Sequence, residues 1–389
     1  MDKLFLKTFL SKMMEETLAV QYWDGTIEKY GQGEPVFKII FHQPLSKKEI
    51  LDDPYLTFGE AYMDGIIDIE GGLQQIIEAI SRNTQSFLHK NKLLSKIVKM
   101  KPTSIKKAKE DIQYHYDLGN DFYKLWLDKT MTYSCGYFSN PNDTLYDAQM
   151  NKVKYTLKKL NLKKGDKLLD IGSGWGTLII EAAKTYGTKA LGITLSKEQY
   201  AKTKEKIKEE NLEALVDVKL IDYRDLAKTN EKFDRIVSIG MLEHVGRANY
   251  PVYMETINKL LNQGGVSVLH CITAQNERKV NSWSTKYIFP GGHLPSIREL
   301  IYLMPEYDFH LLTIESLRRH YAKTLEHWAA NFETQLDKIS ETKDERFIRM
   351  WRLYLQGCAA SFNYGTIDIH QFVFTKGLNN DFPMARVHL

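Results

Sequence analysis

The sequence predicts an α/β protein: a doubly wound parallel sheet flanked by helices, preceded by a smaller N-terminal α+β domain. Three observations predict it. From Val153 to about Val268, short apolar strands alternate with helical patterns. One of those strands runs into a turn of alternating glycines, Leu168-Leu-Asp-Ile-Gly-Ser-Gly-Trp-Gly176, and a helical pattern follows at once. Residues 1–80 instead mix short strands with helices, and 389 residues suffice for two domains and a large core.

Along the chain, Leu18–Tyr22, Thr26–Tyr30 and Val36–Phe41 read as strands, with turns at Asp24-Gly25 and Gly31–Pro35. Helical spacing resumes at Leu73–Ile80. From Lys90 to Lys109 there are eight lysines and no acid, with Leu93, Leu94, Ile97 and Val98 on one helical face, and Pro102 ends the pattern. Such a basic amphipathic stretch suits an anionic membrane surface, where each engaged lysine contributes about 1 kcal/mol. The expected organisation is a lipid-contacting or scaffold domain over 1–89, a basic linker over 90–110 and a catalytic domain over 111–389. In the last, strands are expected at Lys167–Ile171, Lys189–Ile193, Val216–Leu220, Phe233–Ile239 and Gly265–His270. Helices are expected at Thr177–Thr185, Lys197–Glu210 and Tyr250–Leu261.

Bulk composition narrows the function classes. Hydrophobic content of 43% and charged content of 26% are those of a globular protein. A net charge of +4 gives no reason to expect a nucleic-acid partner. Cys135, Cys271 and Cys358 form no paired framework, which fits a reducing compartment. No apolar run approaches a membrane span, and the first residues lack a signal-peptide core. A cytoplasmic protein is expected, free or held on the inner face of a membrane without crossing it. His244, His270 and the scattered cysteines have no metal-ligand spacing, so no metal is expected.

The glycine turn is Gly-x-Gly-x-Gly, not the Gly-x-Gly-x-x-Gly of dinucleotide binders, and no Gly-Lys-Ser/Thr follows. Its free helix N–H groups and close backbone approach suit S-adenosylmethionine (AdoMet). After the second strand, Thr194 and Gln199 offer uncharged partners for a ribose; after the third, Tyr223 offers a face for adenine beside Asp222 and Arg224. The fourth and fifth strands end near Glu243 and His270, where a carboxylate and an imidazole can share a small polar ligand or a proton. Cys358, in the apolar run Gly357-Cys-Ala-Ala-Ser361, reads as core.

Seven blocks, in order, carry a resemblance: Tyr114-x-Tyr-Asp-Leu-Gly-Asn-Asp-Phe-Tyr123, Tyr133-Ser-Cys-Gly-Tyr-Phe138, Asp170-Ile-Gly-x-Gly-Trp-Gly176, Gly192-Ile-Thr-Leu-Ser-Lys-Glu-Gln199, Asp222-Tyr-Arg-Asp225, Gly240-Met-x-Glu-His-Val-Gly246 and Tyr287-Ile-Phe-Pro-Gly-Gly292. From about Asp111 to Lys376 the chain resembles the cyclopropane fatty acyl phospholipid synthases. The resemblance implies a Rossmann-like AdoMet methyltransferase domain. It implies transfer of an AdoMet methyl, as a methylene, to the cis double bond of an unsaturated phospholipid acyl chain, with bicarbonate bound. By motif, the bicarbonate cage falls on Cys135, Glu243, His270, Tyr321 and the backbone at Ile272. AdoMet contacts fall on Tyr133, Ser134, Asp170, Gly172, Gly174, Gly176, Thr194, Leu195, Gln199, Tyr223, Arg224 and Ile239. A homodimer is also implied. Cys358 matches a family cysteine sometimes assigned as nucleophile, a role that methyl transfer to an alkene does not need. Ser173 stands where the family usually has Cys.

That reaction passes through a carbocation, so the site must exclude water and face the cation with aromatic rings or an anion. Phe122, Trp126, Phe138, Trp283 and Phe289 are candidates for an apolar tunnel, and Tyr137 and Tyr287 for cation-facing rings. Two other readings remain at this stage: a methyltransferase of the same fold making a methyl-branched acyl chain, and a non-catalytic lipid-binding relative.

Overall fold

The computed structural model describes residues 3–13, 16–89 and 118–385. The basic stretch 90–109 and the start of the aromatic motif at 114–117 lie outside the described residues. The chain forms two compact units. The first comprises Met1–Ile97, Val280–Pro290 and Ala322–Ile367; the second comprises Val98–Lys279, Gly291–Tyr321 and Asp368–Leu389. Two segments of the expected 111–389 domain therefore pack with the N-terminal part. The reason is local: the long helix Glu345–Asn363 lies against helices Leu73–His89 and Pro54–Met63.

In the first unit, strands β1 (Leu18–Gln21), β2 (Ile27–Tyr30), β3 (Phe37–Phe41) and β4 (Ile67–Glu70) form a sheet in the order β2-β1-β3-β4. β1 runs antiparallel to β2 and parallel to β3, and β3 is antiparallel to β4. Alternate residues Phe37, Ile39 and Phe41 point into a core shared with Leu18, Val20, Tyr22 and Ile76. Helix Pro54–Met63 starts cleanly because Asp53 accepts the Leu56 N–H at 3.0 Å and Pro54 occupies the first turn. On that helix Gly59 makes room for Trp283: a Cβ there would sit 2.3 Å from Trp283 Cδ1. Gly59→Ala is therefore expected to destabilise the protein by about 1–3 kcal/mol, through displacement of a buried indole. Urea unfolding checks this; an unchanged midpoint would show that the ring relaxes freely.

The second unit is built on one seven-stranded sheet. Strands β5 (Lys167–Ile171), β6 (Lys189–Thr194), β7 (Val216–Leu220), β8 (Phe233–Ile239) and β9 (Leu261–Thr273) are mutually parallel. The two-residue strands β10 (Arg278–Lys279) and β11 (His293–Leu294) pair apart from the sheet. β12 (Phe309–Ser316) and β13 (Asp368–Lys376) complete it, in the order β12-β13-β9-β8-β5-β6-β7. The five strands expected to be parallel are so, and β13, antiparallel to both β9 and β12, makes the whole sheet mixed. Alternate residues feed two cores. Leu169, Ile171, Leu269 and Phe372 join one cluster; Leu168, Val268 and Val373 join the other. Both faces of the sheet are thus covered. The strand order reverses at the β5/β8 boundary, where ligands of such sheets bind beyond the carboxyl ends.

Candidate active site

The site begins where β5 ends. Gly172 and Ser173 donate their N–H groups to the Ile193 carbonyl at 2.9 and 3.1 Å, tying the turn to the end of β6. Gly172 holds φ 84° and Gly176 φ 82°, in the left-handed region that favours glycine. A Cβ on Gly176 would also lie 2.5 Å from Thr203 Cγ2. Gly176 is the N-cap of helix Thr177–Tyr186 and gives it no side-chain hydrogen bond, so the helix start is available to a ligand.

Tyr133, Ser134, Asp170, Gly172, Gly174, Thr194, Leu195, Gln199, Tyr223, Arg224 and Ile239 line one cavity at this turn, whereas Gly176 does not. Several of its polar groups are already engaged. Thr194 Oγ1 donates to Gln199 Oε1 at 2.7 Å. Arg224 closes on Asp222, with Nε at 2.8 Å from Oδ1 and Nη2 at 2.9 Å from Oδ2. Tyr223 is buried against Tyr253 edge to face, with ring centroids 5.8 Å apart. Beside the cavity Tyr133 packs on Tyr123 and Trp126, each 5.4 Å away between centroids, and Phe122 packs on Trp126 at 6.0 Å. This wall is aromatic.

Lys152, on helix Leu145–Leu160, also lines the cavity, and its Nζ donates to Ser134 Oγ at 2.9 Å. Burial lowers its ammonium to about 8, against the pull of Cys135, Asp170 and Asp128. Burial likewise raises the Asp170 carboxyl to about 7, countered by Lys152. Sequence reasoning missed Lys152, because a lysine on an amphipathic helix reads as a solvated face.

Glu243 lies in the 3₁₀ turn Leu242–His244 after β8, between the cavity-lining residues Met241 and His244. Its Oε1 accepts the Ile272 N–H at 2.7 Å, while its buried Oε2 has no hydrogen-bond partner. Ile272 thus serves the carboxylate, its N–H being spoken for. Desolvation raises Glu243 to about 7, with the Ile272 N–H pulling the other way. His270, two residues before Ile272, is fully buried; its Nδ1 faces Gln371 Nε2 at 3.1 Å and its Nε2 has no partner. Burial first, then Lys152 and Lys159, hold the imidazole well below its ordinary pKa, so it is neutral.

Cys135 and Tyr321 are tied to the same sheet end. Ile272 pairs with Ile369, and the Ile369 carbonyl accepts the Leu317 N–H at 2.9 Å. The Leu317 carbonyl accepts the Tyr321 N–H at 3.0 Å and lies 3.8 Å from Cys135 Sγ. Cys135, Glu243, His270, Ile272 and Tyr321 are therefore linked within a few backbone steps.

The remaining expected residues divide between the units. Tyr137 and Phe138 belong to the second; Tyr137 stacks on Tyr155 at 4.4 Å and on His320 at 4.6 Å. Tyr287 and Phe289 belong to the first, where the Tyr287 hydroxyl donates to Glu60 at 2.5 Å and Phe289 packs edge-on to Tyr354. Cys358 is also in the first unit, and burial pushes its thiol up to about 12, far from a nucleophile. No group of residues able to hold a metal ion occurs among the described residues.

Comparison with known proteins gives the family and the fold. The sequence pattern described as mycolic acid cyclopropane synthetase matches residues 103–372, and a domain of unknown function matches residues 5–92. A probable fatty acid methyltransferase of Pseudomonas putida is 36% identical over 378 residues, 95% of each chain. The cyclopropane-fatty-acyl-phospholipid synthase of Escherichia coli is 36% identical over 345 residues, 87% of this chain and 88% of its own. The crystal structure of mycolic acid cyclopropane synthase CmaA1 complexed with SAH and CTAB superposes with a TM-score of 0.65 at 35% identity, covering 69% of this chain and 98% of that one. By the span of that match and the identity of these relatives, the chain belongs to the mycolic acid cyclopropane synthetase family.

Proposed function

We propose that the chain transfers a methylene group from AdoMet to the cis double bond of unsaturated acyl chains in membrane phospholipids, forming a cyclopropane ring by way of a carbocation. The observation that carries the reading is two buried, unpartnered polar atoms, Glu243 Oε2 and His270 Nε2, on residues next to the cavity lining: Glu243 lies between Met241 and His244 in the chain, and the His270 carbonyl accepts the Gly240 N–H at 2.8 Å. Orphaned buried polar atoms are costly, and a small polar ligand relieves the cost. Bicarbonate has the right inventory: oxygens that accept and a hydroxyl that donates. When bound, it supplies a fixed negative charge and an acceptor for the proton that ring closure releases.

The protein's own groups would do the following. His270 donates through Nε2. Glu243 accepts a hydroxyl through Oε2 while Ile272 holds Oε1 in place. Cys135 and Tyr321 complete the enclosure. The glycine turn and the start of helix Thr177–Tyr186 receive AdoMet, and Lys152 meets the carboxylate of its amino-acid end. Arg224, the other cation lining the cavity, is already clamped on Asp222. The aromatic wall excludes water, which strengthens every charge interaction inside. The SAH-bound relative supports the choice of methyl donor.

No described helix is long and apolar enough to cross a membrane. The reading places the protein in the cytoplasm, peripherally on the inner membrane face, as a homodimer. Support comes from the basic run at 90–109 and from exposed Leu4, Ile27, Leu51 and Tyr55 on the first unit. A second product is kept because of one relative's name, probable fatty acid methyltransferase: a methyl-branched acyl chain.

The test is incubation with vesicles of unsaturated phospholipid and methyl-labelled AdoMet, with bicarbonate removed and then restored. Label in the lipid, restored by bicarbonate and released as a cyclopropane ester on chromatography and mass analysis, is the expected result. A methyl-branched ester selects the second product, and unlabelled lipid refutes both.

A further inference from the structure

His270 does not stand alone on β9. Opposite it on β13, in direct register, is Gln371, and both side chains face helix Leu145–Leu160. Gln371 makes three contacts, two to that helix and one to His270. Its Oε1 accepts from Lys159 Nζ at 2.7 Å. Its Nε2 donates to Thr156 Oγ1 at 3.3 Å and lies 3.1 Å from His270 Nδ1. Lys159 is fully buried and also bridges to Glu315, which accepts the Tyr155 hydroxyl at 2.9 Å.

The chemistry of these groups leaves one arrangement. An ammonium only donates, so the carbonyl oxygen of Gln371 must face Lys159. The reversed amide would set an NH₂ group against an ammonium and a carbonyl against Thr156 and His270. With the amide fixed, Gln371 presents a donor to His270, and Nδ1 must accept. A neutral imidazole has one proton, which then sits on Nε2, the nitrogen without a protein partner.

We propose that Lys159 and Gln371 are positioning residues that lock His270 in its Nε2–H tautomer, so that His270 meets its ligand only as a hydrogen-bond donor. This rests on the reading that His270 borders an anion site, and it adds an assignment: His270 is not the group that takes the proton. Lys159 orients Gln371, Gln371 orients His270, and neither touches the reacting atoms.

Gln371→Glu keeps the shape and reverses the message. A carboxylate at 371 still accepts from Lys159, but offers His270 Nδ1 an acceptor instead of a donor. The proton moves to Nδ1, and Nε2 turns a lone pair toward the anion. The measurement is ¹⁵N NMR of histidine-labelled full-length protein, read together with turnover and AdoMet titration. The wild type is expected to show a protonated Nε2 and a bare Nδ1. The variant is expected to show a protonated Nδ1, with turnover falling about tenfold or more, the size of effect known for loss of the partners that orient metal-binding histidines. AdoMet affinity is expected to stay within about twofold, which reports an intact fold. Lys159→Met gives a second handle: a mixture of tautomers and an intermediate loss.

A wild type carrying its proton on Nδ1, or on both nitrogens, overturns the inference and leaves the anion site standing. A tautomer that switches without any change in turnover overturns the positioning role. Failure of the anion site itself reads differently: His270→Asn would then leave bicarbonate-dependent turnover unchanged, whichever tautomer the wild type holds.

Discussion

Glu243→Gln is expected to lower turnover by about 10²- to 10³-fold, the range typical of removing one preorganised electrostatic group. AdoMet affinity is expected to change by no more than about twofold. The amide can keep the Ile272 hydrogen bond through its carbonyl, so the turn Leu242–His244 should hold its shape. What is lost is the acceptor at Oε2 and its charge. Opposite charges about 4 Å apart interact by roughly 4 kcal/mol at an effective dielectric near 20. The anion that Glu243 helps to hold meets a bare carbocation only in the transition state and the intermediate, so turnover is expected to fall and binding is not. The carboxyl, raised to about 7 by burial, also predicts the sign of a pH effect. As pH rises through about 7 the carboxylate forms and wild-type turnover rises, and in the glutamine variant this limb disappears. Steady-state rates across pH, beside calorimetric AdoMet titration, decide the matter. Equal losses in affinity and rate would remove Glu243 from the chemistry.

The second large effect is on the methyl donor. Lys152→Met is expected to weaken AdoMet binding by about 10- to 100-fold, the equivalent of one charged hydrogen bond of about 1.5–3 kcal/mol. Methionine fills much of the space of the lysine stem, so helix Leu145–Leu160 keeps its packing. Decarboxylated AdoMet supplies the control. If Lys152 meets the carboxylate, the wild type and the variant bind this analogue about equally. If Lys152 serves only to neutralise Asp170, both ligands weaken alike.

The legible part of this protein was the part with local rules. The bounds of β5 and β8 follow from strands that end at glycine, those of β7 from its alternation of apolar and polar residues, and the glycine turn announces itself by spacing. Glu243 and His270 could be named because they fall near the carboxyl ends of two consecutive strands, Glu243 just beyond β8 and His270 among the last residues of β9. Lys152 could not, since its burial depends on Ser134 and Asp170 arriving from elsewhere in the chain. Gln371 was invisible for the same reason: only the β9/β13 register sets it across from His270, 101 residues upstream in sequence. The mixed sheet was missed because the reading stopped near Val268, although the buried run of Asp368–Lys376 continues the pattern. Nothing local says that Val280–Pro290 packs with the N-terminal part; Trp283 against Gly59 does.

That β13 sits between β9 and β12 has a consequence for how the protein is made. During synthesis the glycine turn leaves the ribosome some two hundred residues ahead of Gln371. A nascent chain that already displays the methyl-donor loop still lacks the strand that orients His270. Competence therefore waits on the translation of β13, and a product cut short before residue 368 carries the loop without the partner its histidine requires.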